Sequence, residues 1–113
     1  MIKLKRTYDP PDTGDGARFL VERLWPRGVS KERAALVGWL KEVAPSPGLR
    51  TWYGHDPTRW TEFRRRYVEE LRANQVALAP LREASRRGTV TLVFSTKDAE
   101  HSSARVLKEY LER

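Results

Sequence analysis

Phe19-Leu20-Val21-Glu22-Arg23-Leu24-Trp25-Pro26-Arg27-Gly28 decides the reading of the fold, because an apolar, strand-forming run stops there in a loop carrying an aromatic ring and two guanidinium groups. Phe19, Val21 and the leucines favour extended backbone, whereas Pro26 lacks a donor and Gly28 admits positive φ. A strand from Arg18 to Leu24 is therefore expected to end in a loop, and Ser30 to cap the helix that follows. A strand, an arginine-bearing loop and a helix make half of a βα unit. In open α/β sheets ligands sit in the crevice beyond the carboxyl end of such strands.

Working outward, Thr89-Val90-Thr91-Leu92-Val93-Phe94 is β-branched, aromatic and almost continuously apolar, as expected of a central strand covered on both faces. Ile2 to Arg6 alternates apolar and cationic residues, the pattern of an edge strand. The turn-rich Asp9 to Gly16 segment that follows is short for a parallel crossover, so loop length points to antiparallel pairing of the first two strands. Helices are expected from Lys31 to about Val43, with Ala35, Leu36, Trp39 and Leu40 inward, and from Asp56-Pro57 to about Ala73, with Trp60, Phe63, Tyr67 and Leu71 inward. Others are expected from Pro80 to Arg87, stopped by Gly88, and from about Ala99 to Leu111, while Ser46-Pro47 opens one short turn. The expected fold is a single α/β domain over residues 1–113, with a mostly parallel or mixed three-stranded sheet and four or five helices. Right-handed crossovers would bring the loops after the two core strands to one edge.

A chain of 113 residues can bury one core without staples, and with no cysteine it has neither disulfides nor thiolate chemistry. The start Met-Ile-Lys-Leu-Lys-Arg lacks the apolar stretch of a signal peptide, and no run is long enough to span a membrane, so a cytoplasmic protein is expected. A formal charge of +7 favours anionic partners. Arg64-Arg65-Arg66 and Arg86-Arg87 add a basic surface, on which any nucleic-acid binding is expected to be weak, salt-sensitive and sequence-indifferent.

Arg23, Trp25, Arg27, Ser95, Thr96 and Lys97 would form an anion cradle at the two loops, with guanidiniums gripping phosphate or carboxylate and hydroxyls meeting the remaining oxygens. The competing reading is that Arg23 and Arg27 pair with Glu22, Asp15 or Asp98 and lock the turn, since structural ion pairs imitate sites. His101, at the start of the last helix, and His55, before another, are candidate general acids or bases, although histidines so placed more often cap or face solvent. Trp25, Trp52 and Tyr53 could stack a base or sugar, against the more frequent role of plugging a small core. Two histidines without cysteine or a spaced carboxylate set give no metal site. Walker, GxGxxG and GxSxG signatures are absent.

Val21-Glu22-Arg23-Leu24-Trp25-Pro26-Arg27-Gly28, Trp39 with Ala44-Pro45-Ser46, Leu49-Arg50, and Leu92-Val93-Phe94-Ser95-Thr96-Lys97-Asp98 resemble the YeaO-like branch of a bacterial family catalogued as a domain of unknown function, number 488. The resemblance covers nearly the whole chain and implies a parallel first strand, in contrast to the loop-length reading. It carries no established activity or cofactor. The family's usual Asp, Tyr and Asn followed by His or Asn are replaced here by Glu22, Phe94 and Ser102-Ser103, which implies a changed site wherever those positions bind or catalyse. The leading expectation is a crevice for an anionic small molecule, with catalysis left open. The alternatives are a nucleic-acid-binding or regulatory module and a basic scaffold for an acidic protein.

Overall fold

Short β-forming segments line up in one direction around the most apolar of them. The computed structural model describes residues 1–113, and its strands β1 (Ile2–Arg6), β2 (Ala17–Leu20), β3 (Gly38–Trp39) and β4 (Val90–Phe94) form one parallel sheet in the order β1-β4-β2-β3. β4 is central and buried along its length, and β1 is an edge. Five helices accompany the sheet: α1 (Lys31–Ala34), α2 (Pro47–Tyr53), α3 (Trp60–Arg72), α4 (Gln75–Arg87) and α5 (Ser103–Leu111).

The register places Ile2, Leu4, Phe19, Val90, Leu92 and Phe94 on one face, where α5 packs on β1 and β4 and α3 packs on α5. The opposite face carries Lys3, Lys5, Arg18, Leu20, Thr91 and Val93, and its polar groups are met by the turn Thr13–Asp15. Lys3 Nζ donates to Gly14 O at 2.8 Å, Thr91 Oγ1 donates to Asp15 O at 2.7 Å, and Arg18 Nη1 donates to Asp15 Oδ2 at 2.6 Å. The turn reaches the sheet through Gly16, at φ 63°, where a Cβ would stand 2.1 Å from Thr89 O. No other residue fits that approach.

Antiparallel pairing of the first two strands is corrected, because β4 lies between β1 and β2 and runs parallel to both. The ten-residue connection suffices because the strands are short: ten extended residues reach ~33 Å, against ~17 Å back along five residues and ~10 Å across two strand spacings. The sheet also has four strands rather than three. The expected helix to Val43 ends at Ala34, where Ala35 turns left-handed at φ 50°. Beyond it, Val37 N donates to Arg18 O at 2.7 Å and Leu40 N to Leu20 O at 2.8 Å, so the free edge of β2 captures this segment as β3. Val37, Gly38 and Trp39 are poor helix formers, and the helical spacing of the apolar residues there is incidental. Trp39 accordingly sits on a strand, not on a helical stripe.

Other boundaries shift for local reasons. Regular β2 ends at Leu20, although Val21 N still donates to Val93 O at 3.2 Å. The segment after Ser46 makes two turns, not one. α4 starts at Gln75 and contains Pro80, whose missing donor leaves only the carbonyl of Val76 unpaired, on a residue 89% exposed. The last helix is divided into a 3-10 turn Ala99–His101 and α5, because Ser102 accepts from Arg105 N at 3.2 Å and caps a new start. Asp56 with Pro57 begins a 3-10 turn that runs into α3 as expected. No helix is long and apolar enough to cross a membrane.

Candidate functional site

Because β2 and β4 are parallel neighbours, the chain leaves both at the same edge of the sheet. A crevice of about 330 Å³ opens there, within the range of small-molecule pockets. Its floor is set by Glu22 and Ser95, the first residues beyond the paired strands, with Ser95 Oγ donating to Glu22 Oε1 at 2.6 Å. Burial pushes the Glu22 carboxyl above its usual range, against the opposing pull of the Ser95 hydrogen bonds and of Arg50 and His55.

One wall is the loop from Glu22 to Val29, which is held rigid by its own aromatic residue. Trp25 Nε1 donates to Val29 O at 2.6 Å, Trp39 Nε1 donates to Glu22 O at 2.6 Å, and the two indoles meet edge to face at 5.4 Å. Arg23 and Arg27 both line the crevice but are held differently. Arg23 Nε donates to Pro45 O at 3.0 Å and Nη2 to Ala44 O at 3.5 Å, with Glu42 at 3.7 Å. Arg27 has no hydrogen-bonded or ionic side-chain partner, and only its carbonyl is used, accepting from Tyr8 Oη at 3.3 Å. Neither arginine pairs with Glu22, Asp15 or Asp98. Arg23 locks the turn through backbone carbonyls, whereas Arg27 locks nothing.

The facing wall comes from α2, the turn after it and the start of α5. Arg50, on α2, lines the crevice without an acidic partner within ion-pair distance. His55 follows Gly54, and both are left-handed, at φ 58° and 53°. For a histidine this backbone costs ~1–2 kcal/mol. His101 is half-buried, with Nδ1 2.8 Å from Asp98 Oδ2 and its ring edge-on to Trp60 at 5.1 Å. The His101 contact holds the Asp98 carboxyl below its usual range despite opposing desolvation. An ionised Asp98 can only accept, so His101 Nδ1 is the donor in this contact. Tyr53 Oη donates to His101 O at 3.1 Å, and burial, then Asp98 and Asp56, raises its phenol above the usual range.

Ser95, Thr96, Trp25, His55 and His101 thus lie around one crevice with Arg23 and Arg27, but Lys97 is exposed and outside it. Arg6 binds the carbonyls of Thr96 and Ser95 at 3.1 and 3.0 Å and shapes the loop that carries Lys97 away. Neither histidine receives a serine hydroxyl, since Ser95 Oγ is engaged with Glu22 and Ser102 Oγ donates to Ala99 O at 2.8 Å. Those two hydroxyls are therefore not the partners of a histidine base. No cluster of three or more His, Cys, Asp or Glu side chains is placed to hold a metal ion. Trp52 lies outside the lining, with Arg66 over its ring at 4.4 Å.

Arg50, Tyr8 and Glu22 as a lining carboxyl were not legible as site residues. Arg50 arrives from α2, where Leu49-Arg50 carries the resemblance without pointing to a site, and Tyr8 arrives from beyond β1, where no local motif marks it. Glu22 sits inside the recognised loop motif, yet only the Ser95 contact turns its carboxyl into the floor.

Fold and crevice define a small parallel α/β domain with a cationic, aromatic-lined pocket at the carboxyl ends of its strands. The chain belongs to the family described as the inactive DUF488-N3 subclade, whose model matches residues 1–113. It is a YeaO-like member: the uncharacterized protein YeaO of Escherichia coli is 37% identical over 110 residues, covering 97% of this chain and 96% of that protein. An uncharacterized protein of Mycobacterium tuberculosis is 44% identical over 110 residues, covering 97% of this chain and 92% of its own length. No solved structure matches the chain.

Proposed function

We propose that the crevice binds a small molecule through a phosphate or carboxylate group and does not turn it over. The observation that carries this reading is the pair Arg27 and Arg50, two guanidiniums that line the crevice without acidic partners. Exposed arginines elsewhere are mostly neutralised on their own helices: Arg65 and Arg66 meet Glu62, and Arg86 and Arg87 meet Glu83. That pairing favours the crevice over the arginine-rich helix faces as the place where an anion is held, and so weighs against the nucleic-acid reading. Ser103, at the first turn of α5, adds a backbone donor with no protein acceptor. Binding without turnover is supported by the family's description as inactive and by the hydroxyls of Ser95 and Ser102 being committed to other partners.

The test is a thermal-shift and calorimetric series with inorganic phosphate and acetate. Wild type should be stabilised in proportion to ligand concentration, and Arg27→Met and Arg50→Met should each lose most of that response. An equal response in both variants would remove the reading.

A further inference from the structure

Glu22 is out of place in a pocket for a bare anion. It is the one carboxylate lining the crevice, and an inorganic phosphate or acetate held by Arg27 and Arg50 would only be repelled by it. A carboxylate at such a position is useful to a ligand that also brings hydroxyl or amino donors, because it accepts hydrogen bonds and cannot give them while ionised. Ser95 occupies Oε1 and leaves Oε2 without a side-chain partner.

The rim adds a third chemistry. Tyr8 is 43% exposed and Leu24 60% exposed, and both line the crevice beside Trp25. Tyr8 is tethered through its hydroxyl to Arg27 O, with the Arg6 guanidinium 5.2 Å from its ring centre, and Trp25 is fixed by its bond to Val29 O. Aromatic side chains held in place but left partly open are platforms for a flat ring. A volume of about 330 Å³ lies at the low end for small-molecule pockets, a size that suits one such ring and its substituents.

Guanidiniums for an anion, a carboxylate for hydroxyls and aromatic rings for a planar group occur together in the recognition of one ligand class. We infer that the crevice is built for a mononucleotide, with the phosphate at Arg27 and Arg50, the ribose hydroxyls at Glu22 and the base against Tyr8 and Trp25. This rests on the anion-site reading above and names its ligand.

The experiment titrates wild type and Glu22→Gln with inorganic phosphate, ribose 5-phosphate, a panel of AMP, GMP, CMP and UMP, and a 5′-phosphorylated trinucleotide, by calorimetry. At least one mononucleotide should bind about tenfold or more tightly than ribose 5-phosphate, the scale of one base stacked on an aromatic ring. Glu22→Gln should weaken ribose 5-phosphate and the mononucleotide by about tenfold, while leaving phosphate binding equal or tighter. Glu22→Ala and the unliganded melting temperatures separate a lost contact from a damaged fold. If phosphate, ribose 5-phosphate and every mononucleotide bind alike, the anion site stands and the nucleotide assignment is overturned. If the trinucleotide binds more tightly than any mononucleotide, the commitment to a single nucleotide is overturned. If nothing binds, phosphate included, the anion reading itself falls.

Discussion

Arg23 and Arg27, four residues apart in one loop, should respond oppositely to the same substitution. Arg23→Met removes the donor to Pro45 O at 3.0 Å and a longer contact to Ala44 O at 3.5 Å, leaving carbonyls of two buried residues without that partner. Its ion pair with Glu42 is long, at 3.7 Å, and Glu42 is 76% exposed, so the pair adds almost nothing. One good charge-assisted hydrogen bond and one marginal contact correspond to ~1.5–3 kcal/mol. For 113 residues the unfolding entropy is ~0.24 kcal/mol/K, so the melting temperature should fall by roughly 6–12 °C. Arg27→Met removes no protein contact and should change stability by less than ~0.5 kcal/mol, as substitutions away from structural features do. Urea unfolding of the three proteins, monitored by tryptophan fluorescence and far-UV circular dichroism, measures both. The division of labour between the two arginines is refuted if they lose equal stability, or if Arg27→Met is the more damaging.

Asp15→Ala should be far more costly than any change in the crevice, about 3–5 kcal/mol, because it strands Arg18, whose side chain is 4% exposed, and removes the partner of Lys5; urea denaturation checks it. Burial acts to raise the Asp15 carboxyl, but bonds from the Asp12 amide, Lys5 and Arg18 prevail and hold it low. Its contribution is therefore present above the ordinary carboxylate range and lost as pH falls through the lowered value, a dependence that Asp15→Asn should abolish. Glu22 has the opposite sign: its folded-state value is raised, so wild type should lose stability as pH rises from the ordinary value through the raised one, and Glu22→Gln should not. Differential melting of wild type and variant across that window isolates the effect. His55→Gly should raise stability by roughly 0.5–1 kcal/mol by relieving the left-handed backbone at φ 58°, and a loss measured by chemical denaturation would show that the imidazole makes compensating contacts.

Much of the architecture follows from local chemistry. The apolar runs at Phe19 and Val90 form strands because their side chains are β-branched or aromatic, and turns follow them because Pro26, Gly28 and the Ser95-Thr96-Lys97-Asp98 segment do not continue pairing. Ser30, Ser46 and Asp56 cap helical turns through bonds visible within three residues of sequence. Apolar residues at helical spacing, Phe63, Tyr67 and Leu71, bury one side of α3. The same local evidence misreads residues 35–43, where an apolar spacing suited to a helix competes with hydrogen bonds offered by the exposed edge of β2. Donors to Arg18 O and Leu20 O win, and nothing near Val37 in sequence announces that edge.

The amino-acid sequence by itself determines the α/β class, the two core strands, most helix starts and the Arg23–Arg27 loop, because each depends on groups a few residues apart. Only the tertiary structure decides that β4 lies between β1 and β2, that residues 38–39 make a fourth strand, and that Lys97 leaves the crevice while Arg50, Tyr8 and Glu22 line it. Those outcomes depend on contacts between segments remote in the chain, such as Ser95 with Glu22 and Arg23 with Pro45. Strand order and pocket lining arise from which backbone edges and carbonyls remain unsatisfied once the core has closed, and hydrogen-bonding demand of that kind has no local signature.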